Sequence, residues 1–365
     1  MRHRFHSLCP YFAMFPETFV EAWINRVVPK GATVLDPFCG RGTTPFQALL
    51  MGREAVACDI NPVAYCVTRA KTNPPGVSNL RRRLSVLAGK YDGRRVAQQR
   101  TQLPEFFHHA FHQETLGQIL YLRRTLRWRK SATDCMLAAL VLGSLHGESL
   151  KSSAYFSNQM PRTISLKPAY AVRFWRKRRL EAPQRDVFSL LSDRIDFRYV
   201  SEPPVLRAEV LQADMRELPR LLHARGNTIR HVITSPPYFD ITNFEEDHWL
   251  RLWFLGNAPH PTYRKLSRDD RHSSPTRYWQ MICDFWRSLG QILGSKAQVV
   301  IRLGAKGEDP ERVAKRLLAA GVFSGRRVEL VGDFEVSDIR NRQTDSFRPG
   351  SSGCLREIDF HFSVA

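Results

Sequence analysis

A hydroxyl, two prolines and a phenol follow one another at Ser235-Pro236-Pro237-Tyr238, directly after the apolar run Val232-Ile233. Neither proline has an N–H and each has a fixed φ, so the pair cannot continue a central strand. The chain must leave the strand in a stiff, extended conformation with bare carbonyls. Such a frame suits a planar base with an exocyclic amine. The Ser235 hydroxyl and the Pro236 carbonyl can accept the two amine hydrogens, and Tyr238 or Phe239 can stack on the ring. Holding those hydrogens draws the nitrogen lone pair out of conjugation and toward an electrophile. A base in a duplex has to leave the stack before this edge is reachable. The plain alternative is a rigid turn that binds nothing.

A second group of chemistry-bearing residues lies upstream. Residues 32–35 read as a short strand, Asp36-Pro37-Phe38-Cys39-Gly40-Arg41-Gly42-Thr43-Thr44 as a glycine turn, 45–51 as a helix, and 55–58 as a strand ending on Asp59. Strand, glycine turn, helix, strand and acid form a βαβ unit of the dinucleotide-binding layout. Asp59 stands about 20 residues beyond the turn, where a carboxylate can take both ribose hydroxyls. The turn has no third glycine, a defect for pyrophosphate. A ligand with one carboxylate and one ammonium needs only an approachable backbone, a helix N-terminus and a nearby acid. Asp36 supplies the acid, and Thr43 and Thr44 supply hydroxyls that equally suit a plain N-cap. Asp36, Gly40, Gly42 and Asp59 together point to a small nucleoside-containing cofactor. Asp214, after the strand-like 208–214, either accepts from an adenine amine or caps the helix beginning near Met215.

The elements that must position these groups follow an α/β rhythm. Residues 17–28 place Phe19, Val20, Trp23, Ile24 and Val27 at helical spacing. A helix over 62–71 follows Asp59. The strand pattern then breaks off and resumes at 208–214, 230–234 and 297–303, with 328–336 and 355–364 as a terminal antiparallel pair. Between the second and third strands lies a helical, basic stretch carrying Arg81-Arg82-Arg83, Arg94-Arg95, Arg123-Arg124 and Arg176-Lys177-Arg178-Arg179. The expected architecture is an α/β, Rossmann-like fold with a mostly parallel sheet and a terminal antiparallel strand, over 1–75 and 206–365. A helical basic insertion occupies 76–205.

The formal net charge of +20 and the pI near 10.1 are the footprint of a polyanion binder, nucleic acid first. The longest uncharged apolar stretch, 135–145, is too short to span a bilayer, and the first dozen residues lack the apolar core of a signal peptide. The 7 cysteines contain no CxxC pair, which argues against structural zinc or a disulfide scaffold. These features lead to the expectation of a cytoplasmic, nucleoid-associated protein with no metal. His108 and His112 fall at i,i+4 spacing without a third ligand. Trp249, Leu252 and Trp253 fit the packed face of a helix. Residues 152–175 mix aromatics with cations and suit phosphate contact and base stacking or, equally, an ordered loop packed over the active site, while 256–277 could fold over a substrate.

DPFCGRGTT followed downstream by TSPPY resembles the S-adenosylmethionine-dependent DNA amino-methyltransferases, whose signatures are a DPFxGxGTT cofactor loop and a (Ser/Asn/Asp)-Pro-Pro-Tyr catalytic loop. CPYFAMFPETFVEAWI, with Tyr11 and Phe15, is similar to a further cofactor motif of that family. The resemblance implies a class I methyltransferase fold with S-adenosyl-L-methionine as cofactor. Asp36 and Phe38 would flank its methionine end and purine side. Gly40, Gly42 and Thr43 would hold its carboxylate, Asp59 its ribose and Asp214 its adenine. Ser235, Pro236, Pro237 and Tyr238 would form the catalytic loop. A serine in its first position favours cytosine N4 over adenine N6. The partner would be double-stranded DNA with a flipped base, read by the insertion, and such enzymes can work beside a cognate restriction nuclease. Arg41 stands where the family usually has a small residue. Two other readings are an RNA base methyltransferase, which more often has Asp or Asn before Pro-Pro, and a catalytically idle DNA-binding protein.

Overall fold

A computed structural model of the chain describes residues 2–11, 14–147, 153–161, 164–239, 244–262, 274–305, 308–339 and 356–365. They divide into two compact units: a sheet unit of residues 13–68, 204–243 and 266–365, and a helical unit of residues 1–12, 69–203 and 244–265.

The sheet unit has eight described strands: β1 (Thr33–Asp36), β2 (Glu54–Asp59), β3 (Ala208–Gln212), β4 (Ile229–Thr234), β5 (Leu293–Ala305), β6 (Val328–Leu330), β7 (Glu335–Asp338) and β8 (Arg356–Val364). Their order is β3-β2-β1-β4-β5-β8-β6, with β7 also paired to β8. β3, β2, β1, β4 and β5 run parallel, and β8 is antiparallel to β5, β6 and β7. Adjacent residues of the central strands serve opposite cores, as the two-residue period of a strand requires. Val34, Ile233 and Val300 face α1 (Glu17–Val27) and α2 (Thr43–Leu50), together with Phe19, Val20 and Ile24. Leu35, Val232, Val299 and Ile301 face helices Pro275–Ile292 and Pro310–Gly321, against Phe285, Trp286 and Leu317. Burial on both faces accounts for the uninterrupted apolar runs read as strands.

The sheet order β2, β1, β4 places β1 between strands reached by connections in opposite directions. The crevice outside the carboxyl ends of β1 and β4 is the topological switch point, where ligands bind in open α/β sheets. The terminal segment 328–336 forms two short strands rather than one, separated by Gly332 at φ 67°.

In the helical unit, Ala132–Ser144 is buried on every side from Asp134 to Ser144, as an apolar helix with no polar face must be. Val77–Gly89 and Val187–Arg198 pack on it, and Gln113–Thr125 packs on Val187–Arg198. Arg83, from one of the basic clusters, grips Asp134 with two nitrogens at 2.8 and 3.2 Å. Arg123 donates to the carbonyls of Trp253 and Asn257. The clusters are therefore partly internal struts, whereas Arg176, Lys177, Arg178 and Arg179 are exposed.

Residues 1–12 and 244–265, expected to belong with the sheet, group with the helices. Trp249 and Trp253 pack on Phe106 and Phe107, with ring centroids 4.5–5.9 Å apart, and on this face apolar burial decides the partner. His108 and His112 do not share a helix. Glu105–Ala110 ends first, and His112 caps Gln113–Thr125 by accepting from the Glu114 N–H. Among the described residues, no helix is long and apolar enough to cross a membrane. Half of 256–277, residues 263–273, lies outside the described residues.

Gly290, in helix Pro275–Ile292, lets the helix backbone close on Ser324, whose carbonyl oxygen would stand 1.9 Å from an added Cβ. Gly290→Ala is expected to cost roughly 1–3 kcal/mol of stability, read as a lowered urea midpoint. An unchanged midpoint would mean that the contact is not tight.

Candidate active site

Asp36 closes β1 and Thr234 closes β4, and the two strands are neighbours. The Thr234 hydroxyl donates to Asp36 Oδ1 at 2.6 Å, and the Phe38 N–H donates to the same oxygen at 3.2 Å. Ser235 is the next residue after Thr234. One hydrogen bond thus joins the start of the glycine turn to the start of the Ser-Pro-Pro-Tyr loop. Thr234 carried no signal beyond adjacency to the motif, and its role emerges only from strand pairing.

Asp36 is fully buried, and Oδ2 has no well-formed hydrogen bond among the described residues; nor does Thr44 Oγ1. Burial pushes the Asp36 carboxyl up to about 7, against the lowering effects of Thr234, the Phe38 N–H and Thr44. An unpaired, buried carboxylate oxygen at a strand's carboxyl end is an incomplete site, and a cationic ligand group would complete it.

Gly40 and Gly42 adopt φ 49° and 74°, the left-handed region that glycine enters without a Cβ penalty. A Cβ on Gly42 would also stand 2.6 Å from Thr68 Oγ1, so the turn is pressed against α3 (Pro62–Thr72). Gly42 is the N-cap of α2, and Thr43 is its buried first residue. The Gly40 N–H donates to Asp59 Oδ2 at 2.8 Å, and the Asn61 N–H to Oδ1 at 2.9 Å. Asp59 therefore ties the glycine turn to the end of β2. Burial raises its carboxyl to about 6, opposed by those two N–H groups. Phe38 packs on Phe285, centroids 5.7 Å apart.

Three other expected cofactor residues have structural partners. Asp214 realises the capping alternative: it caps the turn Met215–Glu217 in a reciprocal capping box and takes Arg216 Nε and Nη2, each at 3.1 Å. Phe15 is buried against Phe19. Tyr11 falls in the helical unit, its ring stacked on His248 with centroids 4.7 Å apart.

In the proline loop, Tyr238 is anchored by its oxygen. The phenol donates to Glu357 Oε1 at 2.9 Å. Burial and Glu357 push its pKa well up, while the neighbouring Ser235 hydroxyl works the other way. Arg302 of β5 donates to Glu357 Oε2 at 3.0 Å and to both oxygens of Asp359 at 2.6 and 2.8 Å. Its guanidinium lies over the Phe19 ring, 3.8 Å from the centroid. Burial disfavours the Arg302 charge, but Asp359 and Glu357 outweigh it and hold its pKa raised. Sequence reading missed this cluster. The signal was a cation inside the apolar run VVIRL and acids alternating in REIDF, which only a paired, buried charge would tolerate. Cys39, inside the glycine turn, is buried and its thiol pushed well up by burial, which makes it a poor nucleophile.

A doubly flanked parallel sheet with one antiparallel strand inserted beside its last parallel strand is the class I methyltransferase fold. Residues 3–68 match the family model for N6/N4 methyltransferases, described as "DNA methylase". The chain is 34% identical over 90 residues to the type II methyltransferase M.MvaI of Kocuria varians, covering 24% of this chain and 19% of that protein. It is 29% identical over 85 residues to M.MjaII of Methanocaldococcus jannaschii, covering 23% and 16%. It is 22% identical over 282 residues to M.BsoBI of Geobacillus stearothermophilus, covering 69% and 52%. The aligned parts thus span between about a sixth and about half of the length of these relatives. Among solved structures, the rRNA methyltransferase AviRa from Streptomyces viridochromogenes aligns over 100% of this chain and 94% of its own, at 14% identity and a TM-score of 0.36. The family model and the type II relatives bear out the resemblance to the N4/N6 DNA amino-methyltransferases, and S-adenosyl-L-methionine is the cofactor of that class. The open Asp36 oxygen and the glycine turn at the α2 N-terminus fit its ammonium and carboxylate.

The raised Asp36 pKa has a measurable consequence. The native state holds a proton that the unfolded chain has released, so ligand-free stability should fall as pH rises from 3.8 to about 7. The comparison is with Asp36→Asn, which does not titrate, in urea melts at about pH 5 and about pH 8. Wild type should lose ground to the variant at the higher pH. A gap that stays constant, or that grows in favour of wild type, would show Asp36 ionised throughout.

Proposed function

We propose that the protein is a DNA amino-methyltransferase that transfers a methyl group from S-adenosyl-L-methionine to the N4 amine of a cytosine flipped out of the duplex. The Thr234–Asp36 hydrogen bond carries this reading. It links a cofactor-type turn and an amine-holding loop at the switch point of one sheet, within reach of a single crevice.

Each residue has a distinct task. The bound cofactor supplies an electrophilic methyl group on a sulfonium. Asp36 accepts the cationic methionine end through its open Oδ2, and Asp59, already bridging to Gly40, takes the ribose hydroxyls. The resemblance assigns Asp214 to the adenine amine, a role it would have to combine with its capping box and its pair with Arg216. Ser235 Oγ and the Pro236 carbonyl accept the amine hydrogens, and Pro237 stiffens the loop so that both acceptors stand in place before the base arrives. Fixed acceptors lower the barrier by orientation and by electrostatics that need no reorganisation. No cysteine is required, in keeping with the buried, high-pKa Cys39. The type II relatives and the basic surface of helix Pro168–Arg178 favour DNA as substrate, read by the helical unit. Serine rather than aspartate before Pro-Pro favours cytosine.

The test is transfer of tritiated methyl groups to duplex DNA, followed by digestion to nucleosides and chromatography. N4-methylcytosine is the expected product, and Ser235→Ala should lower the rate by on the order of 10²-fold. N6-methyladenine would overturn the base assignment. Label entering RNA but not DNA would overturn the substrate.

A further inference from the structure

Methylation of an amine leaves a proton to dispose of. The nitrogen that gives its lone pair to the new carbon cannot keep both hydrogens without a positive charge. In this loop the residue beside the amine is a serine, whose hydroxyl can pass a proton on but cannot hold one near neutral pH. The nearby acid Asp36 accepts from Thr234 and from the Phe38 N–H, not from Ser235.

Another line leads away from the amine. Ser235 stands three residues before Tyr238 in the proline loop, with its hydroxyl close enough to influence the phenol, and that phenol donates to Glu357 Oε1 at 2.9 Å. Resting on the amino-methyltransferase reading, we propose that Glu357 is the terminal acceptor of the proton lost by the target amine, reached through Ser235 and Tyr238.

The proton count closes along this line. One amine N–H breaks, its electron pair stays on nitrogen and its proton goes to Ser235 Oγ. The Ser235 proton passes to Tyr238 Oη, and the Tyr238 proton to Glu357 Oε1. Both hydroxyls end as they began, and one carboxylate has become a carboxylic acid.

The charges around Glu357 favour that outcome. Arg302 faces it from β5, Asp359 stands two residues on in β8, Tyr238 faces it from the loop, and Ser337 of β7 donates to its backbone carbonyl. One cation thus serves two carboxylates, an excess of one negative charge in a largely closed cluster: the Arg302 and Glu357 side chains are 8% and 13% exposed. Protonating Glu357 removes the excess and leaves Arg302 paired with Asp359, so no buried charge is stranded. Burial raises the Glu357 pKa, and Arg302 and Tyr238 draw it back. The remaining exposure gives the carboxylic acid a route to return its proton to water.

Single-turnover methyl transfer to duplex DNA, measured across pH with the cofactor saturating at every pH so that titration of Asp36 and Asp59 does not limit the rate, tests the relay. In wild type the rate should fall on the acid side as Glu357 becomes protonated. Glu357→Gln keeps an acceptor for the phenol but cannot take a proton. It should be slower by on the order of 10²-fold, with the acid limb gone, while cofactor and DNA dissociation constants stay within about twofold. Tyr238→Phe leaves the ion cluster intact and breaks the line at one oxygen, so it should show the same slow, pH-flat rate. Wild-type speed in either variant, or an acid limb that persists in Glu357→Gln, overturns the relay alone. Absence of transfer by wild type to any DNA overturns the methyltransferase reading and the relay with it.

Discussion

The hydrogen bond from Thr234 to Asp36 is the constraint on which the site depends. It spans adjacent parallel strands at their carboxyl ends, inside the sheet unit, where Asp36 has no access to water. A buried carboxylate without donors would be strongly disfavoured as an anion. Two donors steady it, and the second oxygen stays open. The glycine turn and the proline loop are thereby held to one another before any ligand arrives.

The second organising feature is a shared cation. Arg302 sits in the middle of an apolar strand because Asp359 and Glu357 face it from β8 and the Phe19 ring covers it. This cluster is costly to bury as isolated charges, yet it sets the register of β5 against β8 and fixes the phenol of Tyr238. The prolines stiffen the loop along the chain, and the phenol pins its far end. Stiffness alone would leave the Ser235 hydroxyl free to swing as a rigid body with its loop; the anchor removes that freedom.

The two halves of the molecule use arginine differently. In the sheet unit Arg302 is an internal organiser. In the helical unit Arg83 and Arg123 are struts to Asp134 and to backbone carbonyls, whereas 176–179 are exposed. Part of the net charge of +20 is therefore spent on internal structure rather than displayed on the surface.

Local chemistry was legible from the sequence alone. Glycines at Gly40 and Gly42 demand positive φ, paired prolines end a strand, and apolar runs of β-branched residues form buried strands; each follows from neighbours along the chain. The α/β sheet, its antiparallel ending and the helical insertion were readable for that reason. Contacts between distant segments were not. Thr234 looks like any strand threonine until β1 and β4 are set side by side. Glu357 lies 119 residues beyond Tyr238, in a strand with no motif. Trp249 and Trp253 declared an apolar face but not which unit would cover it. Periodicity and turn chemistry are written in short windows, whereas a hydrogen bond across a sheet depends on strand order and register, which only the folded chain decides.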